Sequence, residues 1–98
     1  MVTALVLINT ERGTVSRTAQ QLLDLEHVVE VYSVAGQYDL VAIVQVREYD
    51  QMARVVSDQI GSIGTITRTT TLMAFRSYSA ELLERQWGVG LAEEASEG

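Results

Sequence analysis

The chain has 98 residues, of which 47% are hydrophobic and 20% charged, and it contains no proline and no cysteine. This composition predicts one ordered domain and excludes disulfide bonds and thiolate metal sites. The formal charge is −6, and all seven basic residues are arginines spread along the chain, so direct nucleic-acid binding is not expected. Since no apolar run reaches the roughly 18 residues of a membrane span, we expect a cytoplasmic protein without membrane contact.

The first two predicted elements are a strand and an amphipathic helix. Residues 2–9 form an apolar run rich in strand-forming side chains, and the turn-like residues 9–13 close it. Thr14 is a candidate N-cap for the helix that follows. Apolar residues then recur at helical spacing, and the pattern ends near Glu26.

The next predicted unit is a β-hairpin. Residues 28–35 and 39–46 are both apolar and rich in β-branched side chains, which is typical of strands. Gly36, Gln37 and Tyr38 separate the two runs, and Gly36 supplies the backbone freedom for a turn. Strands two and three are therefore predicted to pair.

A second helix and a fourth strand follow the hairpin. Asp50 is the predicted N-cap of a helix whose apolar residues share one face, and Gly61 and Gly64 mark its end. Residues 66–75 predict a threonine-rich strand. Its alternation places two sets of side chains on opposite faces of the sheet. One face carries Thr67, Thr69 and Thr71, and the other carries Arg68, Thr70 and Leu72.

The order of elements predicts an α+β fold, a ferredoxin-like βαββαβ sandwich in a dimeric α/β-barrel-type assembly. Residues 1–78 form the predicted ferredoxin-like domain. Residues 79–98 are predicted to contain a short C-terminal helix, with Ser79 as its N-cap and reaching Trp87, and a frayed acidic tail.

Both faces of the predicted sheet carry apolar side chains. Two helices can cover one face of a four-stranded sheet, yet strands one and three are apolar on both sides, with Leu5, Leu7, Val41 and Ile43 on the second face. A second subunit over that face predicts a homo-oligomer, either a dimer or a tetramer of dimers. The alternative is that these residues serve strand propensity.

Two segments resemble a known family. Val34-Ala35-Gly36-Gln37-Tyr38-Asp39-Leu40 resembles the glycine-x-aromatic-aspartate signature between strands two and three in the effector-binding (RAM) domain of the Lrp/AsnC (feast/famine) regulators. Ile66-Thr67-Arg68-Thr69-Thr70-Thr71 resembles that family's threonine-rich entry to strand four. The resemblance extends to about Tyr78. Because the chain begins at strand one, it looks like a stand-alone form without the family's helix-turn-helix domain.

The resemblance implies a transcription-related sensor that binds a small amino-acid effector between neighbouring dimers and forms mixed assemblies with full-length relatives. It implies an effector site made of the strand two to three loop and the threonine-rich segment: Gly36, Gln37, Tyr38, Asp39, Ile66, Thr67, Thr69 and Thr71. Asp39 suits an α-ammonium group, and hydroxyl or N–H donors suit a carboxylate. The alternative is an ordinary turn next to solvent-exposed, strand-forming threonines.

Other functions remain open from the residues. Fold analogy supports a dimeric α+β-barrel enzyme of the cofactor-free monooxygenase or isomerase type. The apolar side chains on both faces of the predicted sheet would also fit a purely structural oligomerisation module. His27 is the one histidine and is predicted to be an ordinary surface residue. With no nucleophile elbow, phosphate loop or metal motif, we expect no enzyme activity, no metal and no cofactor.

Overall fold

The structure, a computed structural model, describes residues 1–81. The elements are β1 (Val2–Thr10), α1 (Val15–Leu23), β2 (Val28–Ser33), β3 (Leu40–Val46), α2 (Tyr49–Arg54), a π-helical segment continuing α2 (Val55–Ile60), and β4 (Ile66–Ala74). They form one antiparallel sheet with the strand order β2-β3-β1-β4. This arrangement confirms the predicted ferredoxin-like fold. Among residues 1–81, no helix is long and apolar enough to cross a membrane.

The core lies between the sheet and the helices. In β3 and in the middle of β1 every second side chain is fully or almost fully buried, and the register pairs them across the strands, as in Val6 with Ala42. Successive strand residues point to opposite faces, so this alternation gives the sheet one covered face. Helices add the buried side chains Leu22, Met52, Val55 and Ile60.

Thr14 is the N-cap residue of α1, as predicted, whereas the predicted N-cap of α2, Asp50, is wrong. The Thr14 side chain makes no cap bond to α1, and its hydroxyl instead donates to the Glu11 carbonyl at 2.7 Å. Helix α2 starts one residue before Asp50, with Glu48 as its N-cap. Gln51 Oε1 accepts from the Glu48 backbone N–H at 3.0 Å, which is one half of a capping box. Asp50 thus lies in the first turn, where its negative charge interacts favourably with the positive end of the helix dipole.

Helix α2 widens into a π-helical segment before it ends. The Gly61 N–H donates to the Val56 carbonyl at 3.0 Å, a five-residue hydrogen bond. A Cβ atom at Gly61 would collide with the Ser57 carbonyl oxygen, so the closing turn requires glycine there. The widened segment keeps Val55 and Ile60 buried although they are five residues apart.

The helices cover β4 less completely than the other strands. Helix α1 lies against β2 and β3, and α2 lies against β3 and β1. The helix-side residues of β4 are consequently exposed or half-buried, and a groove of about 200 Å³ separates α2 from Thr71 and Met73. Most of the predicted C-terminal helix and the whole predicted tail lie outside the described residues, so those predictions and the domain boundary near Tyr78 stand as predictions.

Candidate functional site

The candidate site lies at the end of the sheet where β1 finishes. The β2–β3 loop, residues 34–39, lies beside the end of β1 on one side, and the start of β4 lies beside it on the other. The Asp39 N–H donates to the Ile8 carbonyl at 2.9 Å, and the Glu11 N–H donates to the Thr65 carbonyl at 2.8 Å. Backbone hydrogen bonds therefore fix both predicted segments to the same end of β1.

The Asp39 carboxylate has a structural contact of its own. Its Oδ2 accepts a hydrogen bond from the Thr10 backbone N–H at 2.8 Å, and the side chain is half-buried. A carboxylate has about four lone-pair positions, so one such bond leaves capacity for further donors. Asp39 is thus held in a fixed orientation while it can still accept from an ammonium group.

Asn9 connects the two segments. Its Nδ2 donates to the Gln37 carbonyl at 2.8 Å, and its backbone carbonyl accepts from the Thr67 hydroxyl at 3.2 Å. The register shifts between Asn9 and Thr10, where β1 meets the start of β4. One residue of β1 therefore holds the loop on one side and Thr67 on the other.

The Thr10 hydroxyl is an unusual feature of this end of the sheet. It is the buried side-chain polar atom that has no hydrogen-bond partner within residues 1–81. Leaving a buried hydroxyl unpaired costs roughly 1–3 kcal/mol. Buried hydroxyls in proteins are therefore usually hydrogen-bonded, whether to protein, to ordered water or to a bound ligand. This hydroxyl belongs to the residue whose N–H orients Asp39.

The loop itself depends on one glycine. Gly36 has φ +125°, a value that residues with a side chain rarely adopt, and open space surrounds the position of a Cβ atom. Gln37 is exposed and contributes its carbonyl to the Asn9 contact, whereas Tyr38 is half-buried. The loop conformation is therefore set by backbone geometry and by hydrogen bonds to β1.

The structure separates the remaining predicted residues from this cluster. Thr69 and Thr71 pair in register with Ile8 and Val6, so they lie on the helix side of β4, where both are exposed. Thr71 is four residues beyond Thr67, roughly 13 Å along the strand. Ile66 is half-buried against the core. Within one chain, then, the loop, Thr67 and the end of β1 come together, and Thr69 and Thr71 do not join them.

Three residues of this end were missed by the sequence analysis. Asn9 and Thr10 resemble the end of an apolar strand and the beginning of a turn, and Arg68 resembles an isolated surface charge. The structure pairs Arg68 in register with Asn9. The sequence signal at this position was that polar Asn9 follows seven strand residues. Further signals were lacking because the partners of Asn9 and Thr10 lie 28 or more residues away in sequence.

The arrangement brings both signs of charge to one end of the sheet. Asp39 precedes β3 and Arg68 lies in β4, two strand spacings away, which is about 10 Å between backbones. Among residues 1–81, no group of three or more His, Asp or Glu side chains is placed to hold a metal ion. His27 lies 3.8 Å from the Glu26 carboxylate, at the opposite end of β3 from Asp39.

The chain is thus a small βαββαβ domain with a cluster of polar groups at one end of its sheet. The sequence profile of the Lrp/AsnC ligand binding domain matches residues 3–82. The chain therefore belongs to the Lrp/AsnC family, in agreement with the resemblance described above.

Individual relatives support the same assignment. The HTH-type transcriptional regulator FL11 of Pyrococcus furiosus is 29% identical over 73 residues, which cover 74% of this chain and 48% of that protein. TTHA0845 from Thermus thermophilus is 42% identical, with a TM-score of 0.75 over 81% of this chain and 99% of that chain. The transcriptional regulator NMB0573 of Neisseria meningitidis, solved as an L-Met complex, shares the fold at 11% identity, with a TM-score of 0.71 over 87% and 58% of the two chains.

The coverage differs between these relatives. The chain spans about half the length of the curated regulators it matches, whereas it covers nearly all of the Thermus thermophilus chain. The shared region is the ligand-binding domain, and the relatives' names describe transcription regulators.

Proposed function

We propose that this chain is an oligomeric sensor that binds a free amino acid and takes part in transcription regulation. The observation that carries the proposal is the joining of the Gly36–Asp39 loop and Thr67 through Asn9 and Thr10 at one sheet end. The proposed setting is the cytoplasm, since the named relatives are regulators of archaeal and bacterial transcription.

The ligand would bind as a zwitterion. Its α-ammonium group would donate to Asp39, which Thr10 already orients, and its α-carboxylate would accept from the Arg68 guanidinium. The unpaired Thr10 hydroxyl offers a further polar contact if the end of β1 relaxes. Crystallisation of a regulator of the same fold with L-methionine supports an amino acid as the ligand class.

Oligomer formation would couple ligand binding to a signal. One subunit brings the loop and Thr67 together but leaves Thr69 and Thr71 apart from them. We therefore place the effector between neighbouring dimers, where a second copy can supply the missing contacts. A ligand that binds one assembly more tightly shifts the population toward it in proportion to that difference.

Regulatory output would need a partner. The net charge of −6 opposes contact with a phosphate backbone, so a DNA-reading protein would have to carry the signal. Full-length Lrp/AsnC regulators are the proposed partners, since they contain the same domain and can form mixed assemblies with it.

The test is thermal unfolding of the purified protein in the presence of each of the twenty amino acids at millimolar concentration. A ligand at about 100 times its Kd adds roughly 2.7 kcal/mol per site, which raises the melting temperature by several degrees. The proposal expects a selective rise with one amino acid or one chemical group of them. No rise with any of them would support a structural oligomerisation module instead.

Two variants locate the ligand in the proposed site. Arg68→Gln removes the positive charge but keeps a donor, and it should reduce the ligand-induced rise in melting temperature. Arg54→Gln is the matched control, since Arg54 is an exposed arginine at the end of α2 beside His27, at the opposite end of the sheet. Equal rises in both variants would exclude Arg68 from the site.

A further inference from the structure

A second polar cavity lies at the opposite end of the sheet from Asp39. It has a volume of about 100 Å³, and its lining residues come from the residue before β2, from α2 and from the π-helical segment: His27, Gln51, Arg54, Val55 and Gln59. The His27 carbonyl accepts from the Gln45 N–H at 3.0 Å. Gln45 lies roughly 20 Å along β3 from Asp39, so this cavity is separate from the proposed amino-acid site.

The charge of this cavity is opposite in sign to that of the whole chain. The sequence has 13 acidic and 7 basic residues, yet no Asp or Glu among residues 1–81 lines the cavity. Arg54 is exposed, and no carboxylate of the described residues forms an ion pair with it. The His27 side chain is 28% exposed and lies 3.8 Å from Glu26, whose 88% exposed carboxylate is outside the lining. The cavity is therefore a positively charged place on an acidic protein.

Hydrogen bonds fix which way the Gln51 amide faces. Its Oε1 accepts from the backbone N–H groups of Arg47 and Glu48, both at 3.0 Å. An amide whose oxygen is held in this way keeps two N–H donors on its nitrogen. No acceptor among residues 1–81 takes either donor of Gln51. Gln51 therefore contributes donors, and not its oxygen, to the cavity.

The π-helical segment brings Gln59 to the same cavity as Arg54. These residues are five apart, and in a regular α-helix of about 3.6 residues per turn they would project about 140° apart. A widened turn reduces this separation, and both residues line one cavity beside the buried Val55. Widened turns of this kind occur frequently at functional sites. The π-helical segment thus adds a further amide to the donors that surround the cavity.

We infer that this cavity binds a tetrahedral oxyanion of the phosphate type. The Arg54 guanidinium is its charged contact, and the Gln51 and Gln59 amides and the His27 ring are further donors. A guanidinium presents its N–H groups in a planar fork that matches the oxygens of a phosphate group. A cavity of about 100 Å³ is large enough for several water molecules or for one such ion. An anion is favoured because every polar side chain of the lining can donate and none is negative.

Two sources carry this chemistry, free phosphate and the phosphate group of a small monoester. Arg54 and Gln59 are both exposed, so the cavity is open to solvent there and an ester group can extend outward. The inference goes beyond the proposed amino-acid site and shares no residue with it. Binding of one ligand can therefore fail while binding of the other holds.

The first experiment titrates the isotope-labelled protein with inorganic phosphate at constant ionic strength and follows the side-chain amides of Gln51 and Gln59 by NMR. The inference expects saturable shifts of both amides. Acetate has a smaller charge and fewer oxygens, so it should bind about tenfold more weakly or less. Shifts that do not saturate with phosphate or with glycerol phosphate, or equal affinity for acetate, would overturn the inference.

The parallel titration with glycerol phosphate distinguishes the two sources. Tighter binding of glycerol phosphate than of inorganic phosphate supports a monoester as the ligand. Weaker binding of the ester supports the free ion, because the cavity would then have no room for the ester group. Either result supports an oxyanion site.

Two variants test the assigned contacts. Arg54→Gln removes the charged fork and should weaken phosphate binding by about tenfold or more. Gln51→Glu keeps an oxygen for the Arg47 and Glu48 N–H groups, as a capping box requires, but replaces the amide donor with a negative charge. It should weaken phosphate binding by a similar factor while α2 remains folded, which far-UV circular dichroism verifies.

The matched control is Arg17→Gln, which changes the net charge by the same amount as either variant. Arg17 is an exposed arginine at the start of α1, at the other end of the sheet, where the Thr18 and Thr65 hydroxyls share a hydrogen bond. Its phosphate affinity should equal that of the wild type. An equal loss in Arg17→Gln, or full affinity in both Arg54→Gln and Gln51→Glu, would contradict the inference. These titrations contain no amino acid, so failure of the amino-acid proposal is detected separately, by thermal unfolding.

Discussion

The two faces of the sheet are made by the same strands and differ in what covers them. On the helix side, Ala4, Val6, Leu40 and Ala42 have no exposed surface. On the other side Leu5 and Ile43 are half-buried and Leu72 is 49% exposed. Both sets are apolar, so a single subunit satisfies one face and leaves the second for a partner.

This difference separates residues that fold the subunit from residues that join subunits. A covered side chain contributes to unfolding free energy at any protein concentration, whereas an open-face side chain contributes through association, which depends on concentration. The polar end of the sheet belongs to neither class completely, since Asp39 supports the fold through Thr10 and is also part of the proposed ligand site. Substitutions on the two faces and at the polar end should therefore differ in size and in concentration dependence.

The largest expected effect is on the covered face. Leu40→Ala should lower the free energy of unfolding by about 2–5 kcal/mol, because it opens a cavity in a fully buried position. Urea denaturation measures it, and the loss should be equal at low and high protein concentration. The paired variant Ile43→Ala on the open face should lower the free energy of unfolding by a smaller amount in dilute protein than in concentrated protein. A concentration-independent loss at Ile43 would break the comparison.

Two substitutions of Asp39 should separate its contribution to stability from its proposed contribution to ligand binding. Asp39→Ala removes the acceptor for the Thr10 N–H, which should cost about 1–3 kcal/mol of stability, and should weaken amino-acid binding about tenfold. Asp39→Asn keeps an oxygen for Thr10 but loses the charge, so stability should recover while binding stays weak. Calorimetric titration and urea denaturation provide the two readouts. Full affinity in both variants would remove Asp39 from the ligand site.

Gly36 should matter for its backbone conformation. Gly36→Ala should destabilise the protein by roughly 1 kcal/mol or more, because φ +125° strains a residue with a Cβ atom even in open space. Gly64→Ala is the control, since its Cβ also meets nothing and its φ is not positive. Thermal unfolding of both variants gives the comparison. Equal melting temperatures would mean that the loop tolerates another conformation.

The smallest expected effect concerns Tyr32 on the open face. Its hydroxyl donates to Glu30 Oε2 at 2.6 Å, and this hydrogen bond, with the nearby negative charge, raises the pKa of Tyr32 above its ordinary value of 10.0. The contact therefore stabilises the fold below about pH 10 and is lost as the pH rises through the raised pKa. Glu30→Ala should lower that pKa, as followed by tyrosinate absorbance against a Tyr32→Phe control. An unchanged titration would show that the contact is absent in solution.

Much of the fold was predictable because it depends on local periodicity. The alternation in residues 2–9 and 39–46 indicated β1 and β3 and their two faces, and the structure confirms both. The predicted start of α2 was wrong because Asp50 is the better cap by residue type, whereas the Gln51 side chain favours Glu48 by accepting from its backbone N–H. The π-helical segment was not predicted, since it depends on close backbone packing between Gly61 and Ser57.

The candidate site was predictable only in part. The glycine and aspartate of the loop are recognisable as a short motif, and the structure places Asp39 and Thr67 at the same sheet end. Asn9 and Thr10 have no local signature, because their role arises from strand order and from contacts to distant residues. Thr69 and Thr71 belong to the same threonine-rich motif but point to the helix side of an edge strand. The alternation of the sequence predicts that they share a face, but it does not predict which part of the fold that face meets.

The most direct test of the account is sedimentation velocity of the wild-type protein at micromolar concentration, with and without each amino acid at millimolar concentration. The account predicts a dimer or larger species whose distribution shifts with the amino acid that raises the melting temperature and stays constant with the others. A monomer under all conditions, or an assembly that no amino acid alters, would contradict the claim that this domain is an oligomeric amino-acid sensor.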